Sequence, residues 1–154
     1  MIQWMIANVV CSYLGTIAFA IMFHVPKRFY ISCGTIGTIG WLVYCGVVPS
    51  TSAAVASFFG TLVAVLISRA LAVRMKCPVT MFMIPGIFPL IPGASVYYMA
   101  YDLVMGDMGT AGQSGFLALK IAFGIALGIV ISVSIPREVF RGEYWRERKN
   151  RSRG

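Results

Sequence analysis

Residues 85–93 read PGIFPLIPG, three prolines and two glycines in nine positions, flanked by VTMFMI before and ASVYYMAY after. In a helix interior each proline removes an amide donor and crowds the carbonyl one turn back, at about 3 kcal/mol. Pro85, Pro89 and Pro92 would orphan the carbonyls of Met81, Pro85 and Phe88 in a regular helix. The apolar run from Val79 to Met105 is therefore predicted to be a discontinuous helix. A short half ends before Pro85, an irregular connection follows, and a second half begins near Gly93 or Ala94.

The environment of that run decides what a break means. Hydrophobic residues make up 58% of the 154 positions and charged residues only 12%, where a soluble domain carries about a quarter charged. Apolar runs of about 20 residues recur, the length a helix needs to cross a bilayer. They are continuous rather than alternating, which selects helices over a barrel. The expected fold is all-α, an integral membrane helical bundle of about five transmembrane helices with the fourth broken by Pro and Gly. Its spans run from about Ile2 to Phe23, Tyr30 to Val48, Ser52 to Val73, Val79 to Met105 and Ser114 to Ile135. Residues 1–136 form this transmembrane domain and 137–154 a basic cytoplasmic tail. The opening MIQWMIANVV lacks a basic n-region, so a cleavable signal peptide is not expected.

Charge placement orients the bundle. Lys27 and Arg28 follow the first span, Arg69, Arg74 and Lys76 close the third, and seven basic residues occupy positions 137–154. The links PSTS and GDMGTAGQ carry no cation. Five crossings place every basic loop on one side, which the positive-inside rule makes the cytoplasm. The amino terminus then faces out and the carboxyl terminus in. The net charge of +8 is read as a tail beside anionic lipid and not as a nucleic-acid footprint.

In hydrocarbon, irregular backbone is tolerated only when buried in protein or lining a wet cavity. The run from Val79 to Met105 is centred on Pro92, so the break is expected near the membrane midplane. There the second half-helix would offer amides of Gly93, Ala94 and Ser95 to an anion, as broken-helix transporters do for carboxylates. Pro85, Gly86, Pro89, Pro92, Gly93, Ala94 and Ser95 are thus the candidate solute pathway. Lys120, about six residues inside the fifth span, is either a counter-charge for that anion or a snorkelling lysine paired with Asp102 or Asp107. His24 is a candidate proton-linked residue because histidine changes charge near neutral pH; Asp102 follows the aromatic YYMAY and is chiefly interfacial. Gly34, Gly37 and Gly40, with Gly124 and Gly128, mark close helix packing within the chain or between chains.

No catalytic constellation, phosphate loop or metal spacing is present in the sequence, and an enzyme is not expected. Cys11, Cys33, Cys45 and Cys77 have no paired spacing and read as small hydrophobes; no cofactor is implied.

FHVPKR at 23–28, GTIGTIGW at 34–41, PGIFPLIPGASVYY at 85–98 and a glycine-rich last span closing in SIP together resemble the small membrane subunit of the threonine/serine exporter family, the YjjB-like type. The likeness covers nearly the whole chain, and PLIPG followed by SVYY is its most specific part. His24 stands where the family's F-N-x-P corner has asparagine. The resemblance implies a bacterial inner-membrane exporter of threonine, serine or dicarboxylates such as succinate. It also implies a larger membrane subunit as partner, since five helices scarcely enclose a pathway, and it leaves a homo-oligomer open. A non-transporting structural or regulatory subunit, or a lipid-headgroup handler, is the rival expectation.

Overall fold

The computed structural model describes residues 2–135; the basic tail lies outside them. Six helices follow one another: α1 (Ile2–Met22), α2 (Tyr30–Val47), α3 (Ala53–Met75), α4 (Thr80–Ile87), α5 (Gly93–Met105) and α6 (Met108–Ser134), with 3₁₀ turns at Lys27–Phe29, Val48–Ser50 and Phe88–Leu90. Three stretches are long and apolar enough to cross a membrane: Lys27–Ser50, Ala53–Met75 and Met108–Ser134. The pair Thr80–Leu90 and Gly93–Met105, bent by 50°, makes a fourth if it counts as one span, and Ile6–Met22 is a shorter apolar helix. The all-α membrane bundle is as expected.

Glycines set the spacing of the helices. A Cβ on Gly34 would lie 2.6 Å from the Tyr13 ring, and one on Gly37 would collide with Thr16, so α1 lies against α2. A Cβ on Gly60 would lie 2.8 Å from the Gly40 carbonyl, which locks α2 to α3. Gly124 and Gly128 face the backbone of α3 at Ala54 and Phe58. Both glycine faces are therefore consumed inside one chain.

Hydroxyls are buried among these contacts, and hydrocarbon offers them no water. Thr16, Thr38, Ser57 and Ser68 each donate to the carbonyl four residues back, at 2.7–2.9 Å. The Thr61 hydroxyl is buried without a hydrogen-bond partner.

At one end, Ala20, Val25, Phe29, Cys33, Ala72 and Phe82 form a cluster beneath the loops that carry Lys27, Arg28, Arg74 and Lys76. This basic end gathers the first two cationic loops on one side, as the loop charges require. At the opposite end, Ser52 caps α3 by accepting from the Val55 amide at 3.5 Å.

The last helix is out of step with the others. Gly124 meets Ala54, Gly128 meets Phe58, and the Ser132 hydroxyl donates to the Leu62 carbonyl at 3.4 Å, so α6 runs parallel to α3 in a fixed offset. Ala53, the first residue of α3, packs on the cluster containing Ile121 and Ile125. Residues 108–120 consequently stand beyond α3, about 20 Å of helix at 1.5 Å per residue. At its other end α6 stops level with the middle of α3, where a fifth span ending at the basic face was expected. The register is dictated by the two glycine notches. Helix α5 packs on α6, with Met99 against Gly115, and has no buried residue. Together α5 and the first half of α6 form an arm projecting from the body.

Candidate functional site

Helix α4 runs through Pro85 to Ile87 instead of ending before it. The reason is that each carbonyl expected to be orphaned finds a donor. The Cys33 thiol of α2 donates to the Met81 carbonyl at 3.5 Å. The Phe88 amide donates to the Pro85 carbonyl, tightening the chain into the 3₁₀ turn. The Ile91 amide donates to the Phe88 carbonyl at 3.2 Å. Three prolines are thus absorbed by one side-chain bond and two i→i−3 bonds. Regular helix stops only at Ile91, which is extended at φ −63° and ψ 134°.

Packing sets the depth of the break. Gly86 is buried against Ile36, 2.7 Å from a built Cβ, with Ser68 behind it; both lie about a third of the way along their helices from the basic end. Leu90 fits between Gly40 and Gly60, about a third of the way from the opposite end. Gly86 to Leu90 therefore occupies the middle third of the body formed by α1–α4. Phe88 is covered by the rings of Phe19 at 3.7 Å and Phe23 at 5.5 Å. That side of the break is lined by aromatic rings; the α5 side is open, with Gly93 and Ala94 exposed and Pro92 and Ser95 half-buried.

The start of α5 differs from expectation in one respect. The Gly93 amide donates to the Ile91 carbonyl at 2.7 Å, a tight local turn, so it is not presented to a ligand. The first bond of the helix runs from the Val96 amide to the Pro92 carbonyl at 3.1 Å. The amides of Ala94 and Ser95 have no acceptor among the described residues. Two donors at the positive end of a 13-residue helix remain where three were expected.

Lys120 is not brought to those amides. Ile121 packs with Leu90, but the preceding residue is turned about 100° away around α6. Its side chain is exposed, with Nζ 4.4 Å from the centre of the Phe116 ring. It makes no ion pair with Asp102 or Asp107; Asp107 instead caps α6, its Oδ1 accepting from the Thr110 amide at 3.1 Å and its Oδ2 from the Thr110 hydroxyl at 2.6 Å. Asp102 is half-buried on α5.

His24 has a backbone reason to be where it is. Its φ is +56°, and it ends α1 in a Schellman motif: its amide donates to Ile21 and that of Val25 to Ala20, each at 3.0 Å. Histidine, like asparagine, adopts this left-handed geometry more readily than most residues.

Two polar features escaped the sequence reading. The Trp41 indole of α2 donates to Asn8 Oδ1 of α1 at 3.1 Å. More consequential is Arg69, which the loop-charge reading placed at the end of a span. It is 6% exposed, and its guanidinium donates to the carbonyls of Ser132 and Ile135, the second at 2.6 Å. A cation here caps the C-terminus of α6 in mid-body. The signal was available: Arg69 lies six residues before Met75, too deep to be a flanking charge.

Apolar helices of crossing length, notched together by glycine and accompanied by a bent pair that counts as one broken span, define a helical membrane protein. A family model described as Threonine/Serine exporter, ThrE, matches residues 8–135, and the chain belongs to that family. No curated protein and no solved structure matches the chain.

Proposed function

We propose that the chain is one membrane subunit of a secondary exporter for small carboxylate-bearing metabolites, threonine and serine or a dicarboxylate such as succinate. The observation that carries this is the pair of amides at Ala94 and Ser95 without an acceptor among the described residues, beginning a helix just after the break between α4 and α5. They hold the solute carboxylate; Pro85, Gly86, Pro89, Pro92 and Gly93 shape the connection that presents them. Lys120 contributes charge from the far face of α6, and His24 and Asp102 are the groups through which protons could couple. The protein lies in a bacterial inner membrane with its amino terminus out and its carboxyl terminus in the cytoplasm, the tail against anionic lipid.

A larger subunit completes the pathway, and the arm is its contact. Tyr97, Tyr98 and Tyr101 are each roughly half to two-thirds exposed there, and α5 packs on little except α6. That unpartnered arm also favours the second reading, a structural subunit that transports nothing. Export of labelled solute from cells holding both subunits separates the two. With Pro89→Ala plus Pro92→Ala, export falls at least about tenfold at normal membrane abundance, the scale of a mispositioned binding group. Unchanged export would leave the structural reading.

A further inference from the structure

The two loops at the basic end carry a charge that the rest of the body does not answer. Lys27 and Arg28 open one apolar span, Lys27–Ser50, and Arg74 and Lys76 stand at the close of another, Ala53–Met75. The corners form one surface. Val25 and Phe29 of the first loop share a buried cluster with Ala72 of α3 and Phe82 of α4, and Cys77 and Val79 of the second loop pack against it. The Phe29 and Phe82 rings meet edge to face at 5.3 Å, and the Arg28 guanidinium lies 4.5 Å from the centre of the Phe29 ring. Packing thus gathers four cations around a shared apolar floor.

All four side chains are exposed, and none has an ion-pair partner among the described residues. Arg69 is buried beside α6 and takes no part. Positions 1–101 contain no aspartate or glutamate, so no carboxylate of α1–α4 neutralises the patch. Asp102 and Asp107 belong to the arm, and the glutamates of positions 137–154 are outnumbered there by seven cations. Four like charges held together repel one another, and an anion relieves that repulsion.

Position selects the anion. Each cation adjoins the end of an apolar helix, where hydrocarbon gives way to headgroups, and clusters of Lys and Arg beside span ends attract acidic lipids. Met75, exposed between Arg74 and Lys76, adds apolar surface for an acyl chain. We propose that the Lys27–Arg28 and Arg74–Lys76 corners together hold the phosphate of one anionic phospholipid. The site is separate from any contact of the tail with lipid, and it does not rest on the export reading.

The full chain is equilibrated in mixed micelles of equal phosphatidylglycerol and phosphatidylcholine and repurified, and the retained lipids are extracted and quantified. Phosphatidylglycerol is expected to dominate. Lys27→Gln with Arg28→Gln, and separately Arg74→Gln with Lys76→Gln, should each lower the retained ratio at least about fivefold, the scale of one cation near an anionic surface. Lys27→Arg with Lys76→Arg should keep the ratio, and so should the tail variant Arg148→Gln, Lys149→Gln, Arg151→Gln, Arg153→Gln. Wild type in about 1 M salt, where the Debye length is about 3 Å, should lose most of the preference without any substitution. Equal retention of both lipids, an unchanged ratio in either loop variant, loss in the tail variant, or displacement of the lipid by inorganic phosphate overturns the proposal. No transport is measured, so its failure leaves the export reading standing, and a failed export assay leaves this site standing.

Discussion

The body and the arm are built from the same apolar alphabet and packed in opposite ways. In the body, helices approach until glycine is the only residue that fits, and hydroxyls are turned back onto their own carbonyls. In the arm, Gly112 has nothing within 4 Å of a built Cβ, and neighbouring large side chains such as Val104, Leu119 and Phe123 are mostly exposed. Hydrophobicity therefore does not distinguish a packed helix from a waiting one. Close backbone approach does, because lipid gives no hydrophobic drive for helices to associate and leaves packing and hydrogen bonds to decide.

That contrast is broken most severely at Gly60. A Cβ there lies 2.8 Å from the Gly40 carbonyl oxygen, and the Leu90 side chain closes the other side at 3.1 Å. Gly60→Leu should cost at least about 3 kcal/mol, the upper range for overpacking, and abolish a monodisperse peak in detergent. The matched substitution in the arm should do the reverse. Gly112→Ala meets no atom, sits in a helix interior, and should stabilise by about 0.5–1 kcal/mol through helix propensity. If the two variants melt alike, the division between body and arm is wrong.

Next in size is Arg69, the side chain that holds α6 against α3. Arg69→Leu fills similar space but leaves the Ser132 and Ile135 carbonyls without their cationic donor. A charged hydrogen bond contributes about 1.5–3 kcal/mol, so a loss of about 2–3 kcal/mol in detergent melting is expected. Arg69→Lys should recover part of it, since one ammonium cannot fork to both carbonyls. A variant as stable as wild type would mean that the glycine notches alone fix the register of α6.

These two positions show what the sequence could and could not carry. Span lengths, the break and the basic side were legible because each rests on local composition: run length, proline spacing, cations in loops. The fate of the orphaned carbonyls was not. Cys33 stands 48 residues from the carbonyl it serves, and no periodicity announces a thiol donor. The offset of α6 was equally hidden, because Gly124 and Gly128 announce close packing without naming the partner. Arg69 was read as a loop charge since a cation near a span's end usually is one; its depth, six residues before Met75, argued otherwise, and the contact with the carbonyls of α6 names its partner. At the candidate site, the amides of Ala94 and Ser95 have no acceptor among the described residues, as a break there implies, whereas that of Gly93 is closed into a turn by its own neighbour two residues back.

The smallest effect tests the arm's own anchoring. Asp107 is fully exposed, and its carboxylate is held below the ordinary value of 3.8 by the Thr110 hydroxyl and amide, and further by the Gly109 amide. A depressed carboxylate pKa means that the folded arm binds fewer protons than the unfolded one. The cap's contribution is then fully present above pH 3.8 and is lost as pH falls through the lower folded value. Asp107→Asn keeps an acceptor for the Thr110 amide and removes only the charge. Hydrogen exchange at the Ala111 amide, bonded to the Asp107 carbonyl at 3.0 Å, reports the first turn of α6 directly. Exchange there should be faster in Asp107→Asn than in wild type near neutral pH, with the gap closing as the solution is acidified. A gap that stays constant would assign the effect to shape instead of charge, leaving the packing of α5 on α6, with Met99 against Gly115, to anchor the arm.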